Sequence, residues 1–147
     1  MFQLQRISCI INNADTTKGS LYLGDIFGAQ DTKTLSKLGI KAVLTCAAST
    51  DLKYPPQIVP HHMIIPAQDT PSYNLGRFFN KGIAFIQKHI QHTNVYVHCF
   101  AGVSRSGAMV VAYIMKTRKL NLKKALNFVR KRRGQVFPNT GFLKQLM

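Results

Sequence analysis

The sequence predicts an α/β domain: a central, mostly parallel sheet flanked by helices. Short apolar runs of strand length recur at residues 21–24, 42–46, 62–65 and 95–98, and segments with helical spacing of apolar residues separate or follow them. The run at 95–98 leads through a short glycine-containing loop into a segment that is apolar nearly all round, the pattern of a helix buried within a domain. Strands joined by helices pair in parallel, because each crossover returns the chain to the same end of the sheet, and the helices then cover both faces.

Taken in order, Leu21-Tyr22-Leu23-Gly24 reads as a strand closed by glycine. Residues 31–38 read as a short helix with Leu35 and Leu38 on one face, stopped by Gly39. Residues 42–46 form a buried strand and 62–65 another. The clearest helix follows: Leu75, Phe78, Phe79, Gly82, Ile83, Ile86 and Ile90 share one face, with Asn74 or Ser72 placed to cap it. Residues 95–98 are a short apolar strand, and 107–115 the central helix. Asn121 caps a helix whose inner face is Leu122, Ala125, Leu126 and Val129, and a last short helix starts after Pro138-Asn139-Thr140.

At 147 residues the chain is expected to form a single domain, 1–147. An apolar content of 46% excludes a disordered chain. No apolar run approaches the ~20 residues that cross a bilayer, so no membrane span is expected. The three cysteines, Cys9, Cys46 and Cys99, cannot all pair with one another. With no signal-peptide layout in residues 1–6, they predict a reducing compartment, the cytoplasm or the nucleus. No CxxC pair or histidine cluster offers a zinc site, so no metal is expected, and no cofactor. A monomer is expected. The net charge is +15 and lies almost wholly in the second half: residues 1–69 hold six Lys/Arg against five Asp, whereas 70–147 hold fourteen Lys/Arg and no acid. Such a field draws anions in, or simply keeps the chain soluble.

The chemistry is concentrated in His98-Cys99-Phe100-Ala101-Gly102-Val103-Ser104-Arg105-Ser106-Gly107. In open α/β sheets, ligands bind at the carboxyl ends of strands. A loop there that runs into a helix can turn successive N–H groups inward and cradle an anion. Gly102 permits a turn closed to other residues, and Arg105 ends the loop with a planar fork of donors suited to two phosphate oxygens. A cysteine thiol ordinarily titrates near ~8.5, and inward N–H groups, a helix N-terminus and an arginine all favour its anion. Cys99 is therefore the candidate nucleophile, attacking phosphorus to give a cysteinyl-phosphate. Arg105 and the amides of residues 100–105 would hold the equatorial oxygens. Asp69, on the loop Ile65-Pro66-Ala67-Gln68-Asp69-Thr70-Pro71-Ser72, is the candidate acid for the leaving group and base for water. Ser106 could hydrogen-bond the sulfur, and His98 is expected to orient the loop from behind.

These residues resemble a known signature. His98-Cys99-x-x-Gly102-x-x-Arg105-Ser106 is similar to the HCxxGxxRS signature of the cysteine-based protein tyrosine phosphatase superfamily, and Ala101-Gly102-Val103-Ser104-Arg105-Ser106 resembles its dual-specificity branch. The likeness runs from about residue 20 to the end, through Leu21-Tyr22-Leu23-Gly24, Ala112-Tyr113-Ile114-Met115 and Pro138-Asn139-x-Gly141-Phe142-x-x-Gln145-Leu146, and is strongest to the small atypical members. Residues 1–20 form an N-terminal extension that matches poorly. The resemblance implies Cys99 as nucleophile, Arg105 as phosphate binder, Asp69 as general acid, and Asn139 as a brace on the loop. Phe100, Ala101, Gly102, Val103 and Ser104 would line the phosphate site, which a phosphate or sulfate ion could also occupy. The implied substrates are phosphoproteins bearing phosphotyrosine, phosphoserine or phosphothreonine, with no nucleic acid required. The alternative is a phosphatase of a non-protein polyanion, phosphoinositide or RNA 5′-phosphate, favoured by the basic half but not by the lysine-free loop.

Other features carry competing readings. Cys46 ends a strand whose carboxyl end points to the same loop, so it is either a redox partner of Cys99 or an inert core thiol. Cys9 reads as packing. Arg130-Lys131-Arg132-Arg133 reads as a solvated helix end, with a nuclear import signal or a phosphoinositide patch as the other option. His61-His62 is assigned no function.

Overall fold

The computed structural model describes residues 5–147. Five strands, β1 (Ile7–Ile11), β2 (Leu21–Gly24), β3 (Ile40–Cys46), β4 (His61–Ile65) and β5 (Asn94–His98), form one sheet in the order β1-β2-β5-β3-β4. All neighbours pair in parallel except β1, which runs antiparallel to β2. The helices are α1 (Ile26–Gln30), α2 (Thr32–Lys37), α3 (Phe79–Ile90), α4 (Arg105–Arg118), α5 (Leu122–Arg132) and α6 (Thr140–Leu146). None is long and apolar enough to cross a membrane. The expected α/β architecture is thus present, with two elements the sequence reading lacked. β1 lies in the extension whose likeness was poor, and α1 is a single short helix capped by Asp25.

Successive side chains of a strand point to opposite faces, and central β5 feeds both cores. Val95 and Val97 join the larger one with α3, α4, α5 and α6, while Tyr96 joins Ala29, Leu35, Ile40 and Val43 on the other. α4 is buried along Ser106–Ile114, as its apolar composition requires. Side-chain oxygens of Asp31, Asn121 and Asn139 accept the N–H groups that open α2, α5 and α6. The helix expected around residues 75–90 begins instead as a 3₁₀ turn, Gly76–Phe78. There Asn74 Oδ1 accepts the Arg77 N–H at 3.2 Å, and Ser72 caps nothing.

Because β5 is flanked by β2 and β3, the loop that leaves its carboxyl end starts from the middle of the sheet. The segment after β4 reaches the same end and is held there by α6. Gln145 accepts the Gly76 N–H at 2.7 Å and donates to the Tyr73 carbonyl at 2.9 Å. Gly141 lies so close to Pro71 that an added Cβ would overlap the Pro71 backbone. Gly141→Ala should therefore cost about 1–3 kcal/mol of stability through overpacking, measured by urea unfolding. Gly134→Ala, where a Cβ meets nothing nearer than 4.0 Å, should change stability by less than ~0.5 kcal/mol.

Candidate active site

β5 delivers His98 and Cys99, α4 begins at Arg105, and the residues between form a tight loop. Each carbonyl of that loop is tied to a donor outside it. His98 Nδ1 donates to the Cys99 carbonyl at 3.0 Å, and the Ile26 N–H at the start of α1 donates to that of Phe100 at 3.0 Å. Arg133 reaches Ala101 through Nη2 at 3.4 Å and Gly102 through Nε at 2.9 Å. The Phe137 and Ala108 N–H groups take the carbonyls of Val103 and Ser104 at 2.9 and 2.8 Å. In a planar trans peptide the N–H points opposite to the C=O, so pulling these carbonyls outward turns the N–H groups of residues 100–105 inward. Among the described residues none of them donates to a protein acceptor.

Cys99 sits inside this ring, 2% exposed, its Sγ 3.0 Å from Ser106 Oγ. Arg105 Nη1 donates to the Ala67 carbonyl at 3.0 Å, and the guanidinium carbon lies 5.4 Å from the centre of the exposed Phe100 ring. The Arg105 Nε is buried with no hydrogen-bond partner among the described residues. An orphaned buried donor on a cation is costly, and an anion in the ring would satisfy it. Ala101 is exposed, Val103 half-buried, and Gly102 and Ser104 are buried.

Asp69 is exposed, and Asn139 Nδ2 donates to its Oδ1 at 3.0 Å. The Asn139 backbone N–H donates to Ser104 Oγ at 2.9 Å. Asn139 therefore links the loop to the candidate acid, while its own Oδ1 caps α6. Cys46 is fully buried at the end of β3. Burial, and then the charge of Cys99, push its thiol well above the ordinary range, with Arg105 opposing.

Three sequence readings need correction. Arg133 is not on a solvated helix end: it is 1% exposed and the largest buried side chain. Besides the two loop carbonyls, its Nη1 donates to the Gln5 carbonyl at 2.6 Å and to Ser8 Oγ at 2.9 Å, locking β1 to the loop. Its signal was spacing: Arg133 follows Val129 by four residues and continues the inner face of α5. His62 is not idle. Its Nε2 lies 2.8 Å from Thr45 Oγ1, which lies 2.7 Å from His98 Nε2. Since His98 Nδ1 must donate to a carbonyl, its Nε2 accepts from the Thr45 hydroxyl, and Thr45 in turn accepts from His62. Only the pairing of Thr45 with His98 across β3 and β5 exposes that chain. Cys9, expected to pack, is exposed on β1.

A family model described as "Dual specificity phosphatase, catalytic domain" matches residues 21–147. The chain belongs to that family. It is 38% identical over 127 residues to dual specificity protein phosphatase 1B of Arabidopsis thaliana, covering 86% of this chain and 75% of the relative. Identity to the mouse dual specificity protein phosphatase 22 is 39% over 127 residues, covering 86% and 67%. Against the human dual specificity protein phosphatase 9 it is 36% over 129 residues, and the chain spans about a third of that relative (34%). Among solved structures, the human tyrosine phosphatase-like serine/threonine/tyrosine-interacting protein superposes with a TM-score of 0.84 at 31% identity, covering 97% of this chain and 94% of that one. The crystal structure of DUSP15 does so with 0.78 at 31%, covering 86% and 80%.

Within this dual-specificity phosphatase domain, His98 is the group most perturbed in the acid range. Burial lowers its pKa to about 4, against the upward pull of the bond to the Cys99 carbonyl. The unfolded chain then binds the proton that folded His98 refuses, so stability is full above pH ~6.5 and declines as pH falls toward 4. The decline from this group should reach about 3 kcal/mol. Urea unfolding between pH 4 and 7 should show a shallower slope for His98→Asn than for wild type; equal slopes would remove His98 as the source.

Proposed function

We infer that this domain hydrolyses phosphotyrosine and phosphoserine or phosphothreonine in proteins through a cysteinyl-phosphate intermediate. One observation carries the chemistry: a ring of unpaired inward N–H groups, with the free Arg105 Nε, encloses a buried cysteine sulfur. That arrangement fits a phosphoryl group with phosphorus facing Cys99 Sγ. The family assignment supports protein substrates, and the loop interior of Phe100, Ala101, Val103 and Ser104 adds no cation for a more highly charged head group.

In the first step the Cys99 thiolate attacks phosphorus as the bond to the side-chain oxygen breaks. Arg105 and the loop amides hold the equatorial oxygens, already aimed before charge spreads over them. Asp69, placed by Asn139, gives its proton to the leaving oxygen. In the second step Asp69 takes a proton from water, water attacks phosphorus, and the P–S bond breaks to return the thiolate and release phosphate. The Ser106 hydroxyl at 3.0 Å stabilises the departing sulfur by donating to it. His62, Thr45, His98, Arg133 and Asn139 position the loop without touching the substrate.

Cys99→Ser should bind phosphopeptide yet turn over none, and wild-type turnover by this variant would overturn the mechanism. Asp69→Asn should lower kcat on phosphoserine peptides by about 10²–10⁴-fold, and far less on an aryl phosphate whose leaving group needs no proton. Comparing kcat/KM on phosphopeptides, phosphoinositides and 5′-triphosphate RNA tests the substrate class, and the reading fails if peptides lose by orders of magnitude.

We also infer a redox partner for Cys99 in Cys46, buried at the end of the strand beside β5 and within reach of its charge. Peroxide would oxidise the Cys99 thiolate to a sulfenic acid, releasing hydroxide. The Cys46 thiol would then displace the oxygen as water and form the disulfide. Mass spectrometry after mild peroxide should find Cys46 linked to Cys99; sulfinic Cys99 beside a free Cys46 would end the idea.

A further inference from the structure

β1 is an edge strand, paired with β2 on one side only. The Arg6 carbonyl accepts the Asp25 N–H at 3.0 Å, so Arg6 faces β2. Residues of an antiparallel pair alternate in the side to which their N–H and C=O point. Ser8 therefore also faces β2, and Ile7 and Cys9 turn theirs to the open edge. Among the described residues, neither Ile7 nor Cys9 finds a backbone partner there in a loop or helix.

Along this edge runs a groove of about 430 Å³, lined by residues 9–13 and by Arg118, Phe128 and Arg132. Exposed Cys9 lines it, Ile10 and Ile11 follow through a break in the register with β2, and Asn12 and Asn13 continue its wall beyond the end of β1. Arg118 at the end of α4 and Arg132 at the end of α5 converge on one aromatic ring, 4.8 and 3.7 Å from the centre of Phe128. Arg132 Nη1 is anchored to the Phe128 carbonyl at 2.8 Å. Both arginines are exposed, and the whole stretch 70–147 contains no acid to pair with them. Two guanidinium groups on one ring repel each other, and anions seated beside them would relieve that repulsion.

We propose that this groove docks an extended acidic segment of a protein partner, its backbone pairing with the open β1 edge at Cys9 and its carboxylates meeting Arg118 and Arg132. An extended peptide carries main-chain donors and acceptors at strand spacing, with alternate side chains on one face, and can add to an open edge. A nucleic acid has the charge but not that backbone. A second copy of this chain has the backbone but brings a further +15 of like charge.

The probe is a fluorescein-labelled Glu-Val-Glu-Val-Glu-Val amide, followed by anisotropy at low salt. Saturable binding is expected, weakened by about tenfold or more in Arg118→Glu/Arg132→Glu. That variant should keep wild-type turnover of p-nitrophenyl phosphate, since neither arginine belongs to the catalytic loop. Lys123→Glu/Lys124→Glu, which makes the same change in net charge outside the groove, should bind nearly as wild type. The peptide N-methylated at every residue keeps its charge but has no N–H for either edge and should also lose about tenfold. Equal loss in the two double variants, undiminished binding of the methylated peptide, or equally tight oligouridylate binding with the same arginine dependence would each overturn the proposal. Should the arginine variant fail to fold, Cys9 supplies a separate reading. In a Cys99→Ser background, bound peptide should slow modification of Cys9 by a thiol reagent, and an unchanged rate would also refute the docking.

Discussion

The outward pull on the carbonyls of residues 99–104 is the constraint on which the rest of the structure turns. A loop whose N–H groups all face one point has no internal partners, and left to itself it would relax by turning some peptides over. Donors from β5, α1, α4, the segment before α6 and the end of α5 hold the carbonyls instead. Hydrogen bonds that hold a peptide at one end orient it at the other, so the anion site is maintained from behind, without contact with the ligand. Such a site is organised before charge develops on the substrate, which is where electrostatic catalysis gets its strength.

Arg133 supplies the least replaceable of these bonds. Its planar fork reaches two successive loop carbonyls and, through another nitrogen, the β1 edge of the sheet. Burial pulls its guanidinium pKa down, offset by Tyr96, Asp25 and Cys99, so the side chain also sets a positive charge behind the sulfur. Gly102 is the complement to this brace. Its φ of +68° suits glycine, and a Cβ there would come within 2.6 Å of the Gly24 carbonyl and 2.5 Å of Arg133 Nη2. Loop, brace and the glycine that closes β2 therefore exist as one packing unit.

The side of the candidate acid is built differently. Asp69 is exposed and gains its place from one side chain, Asn139, and from the docking of α6 on residues 71–76. A buried, multiply tied loop opposite an exposed carboxylate held by few bonds suits the labour proposed for each: a fixed phosphate site, and a candidate acid free to follow a leaving group. Local stability differs accordingly between the two halves.

Much of this was legible in the sequence. Apolar spacing alone placed β2, β3, β4, β5 and the long helices, and the run from His98 to Gly107 announced an anion loop with a candidate nucleophile in it. β1 was not legible, because an edge strand has one buried neighbour and its short alternation is weak. Nor was the chain His62, Thr45, His98, since its members lie on three strands and meet only through the register of the sheet. Arg133 stood last in a run of four cations, where composition suggested solvent, and a helical turn of geometry placed it inside. By itself the sequence determined which groups could do the chemistry, because residue type and local spacing carry that information. Only the tertiary structure decided which of them hold the loop, link Asp69 to it and leave β1 open, because those relations depend on contacts between residues as far apart as Gln5 and Arg133.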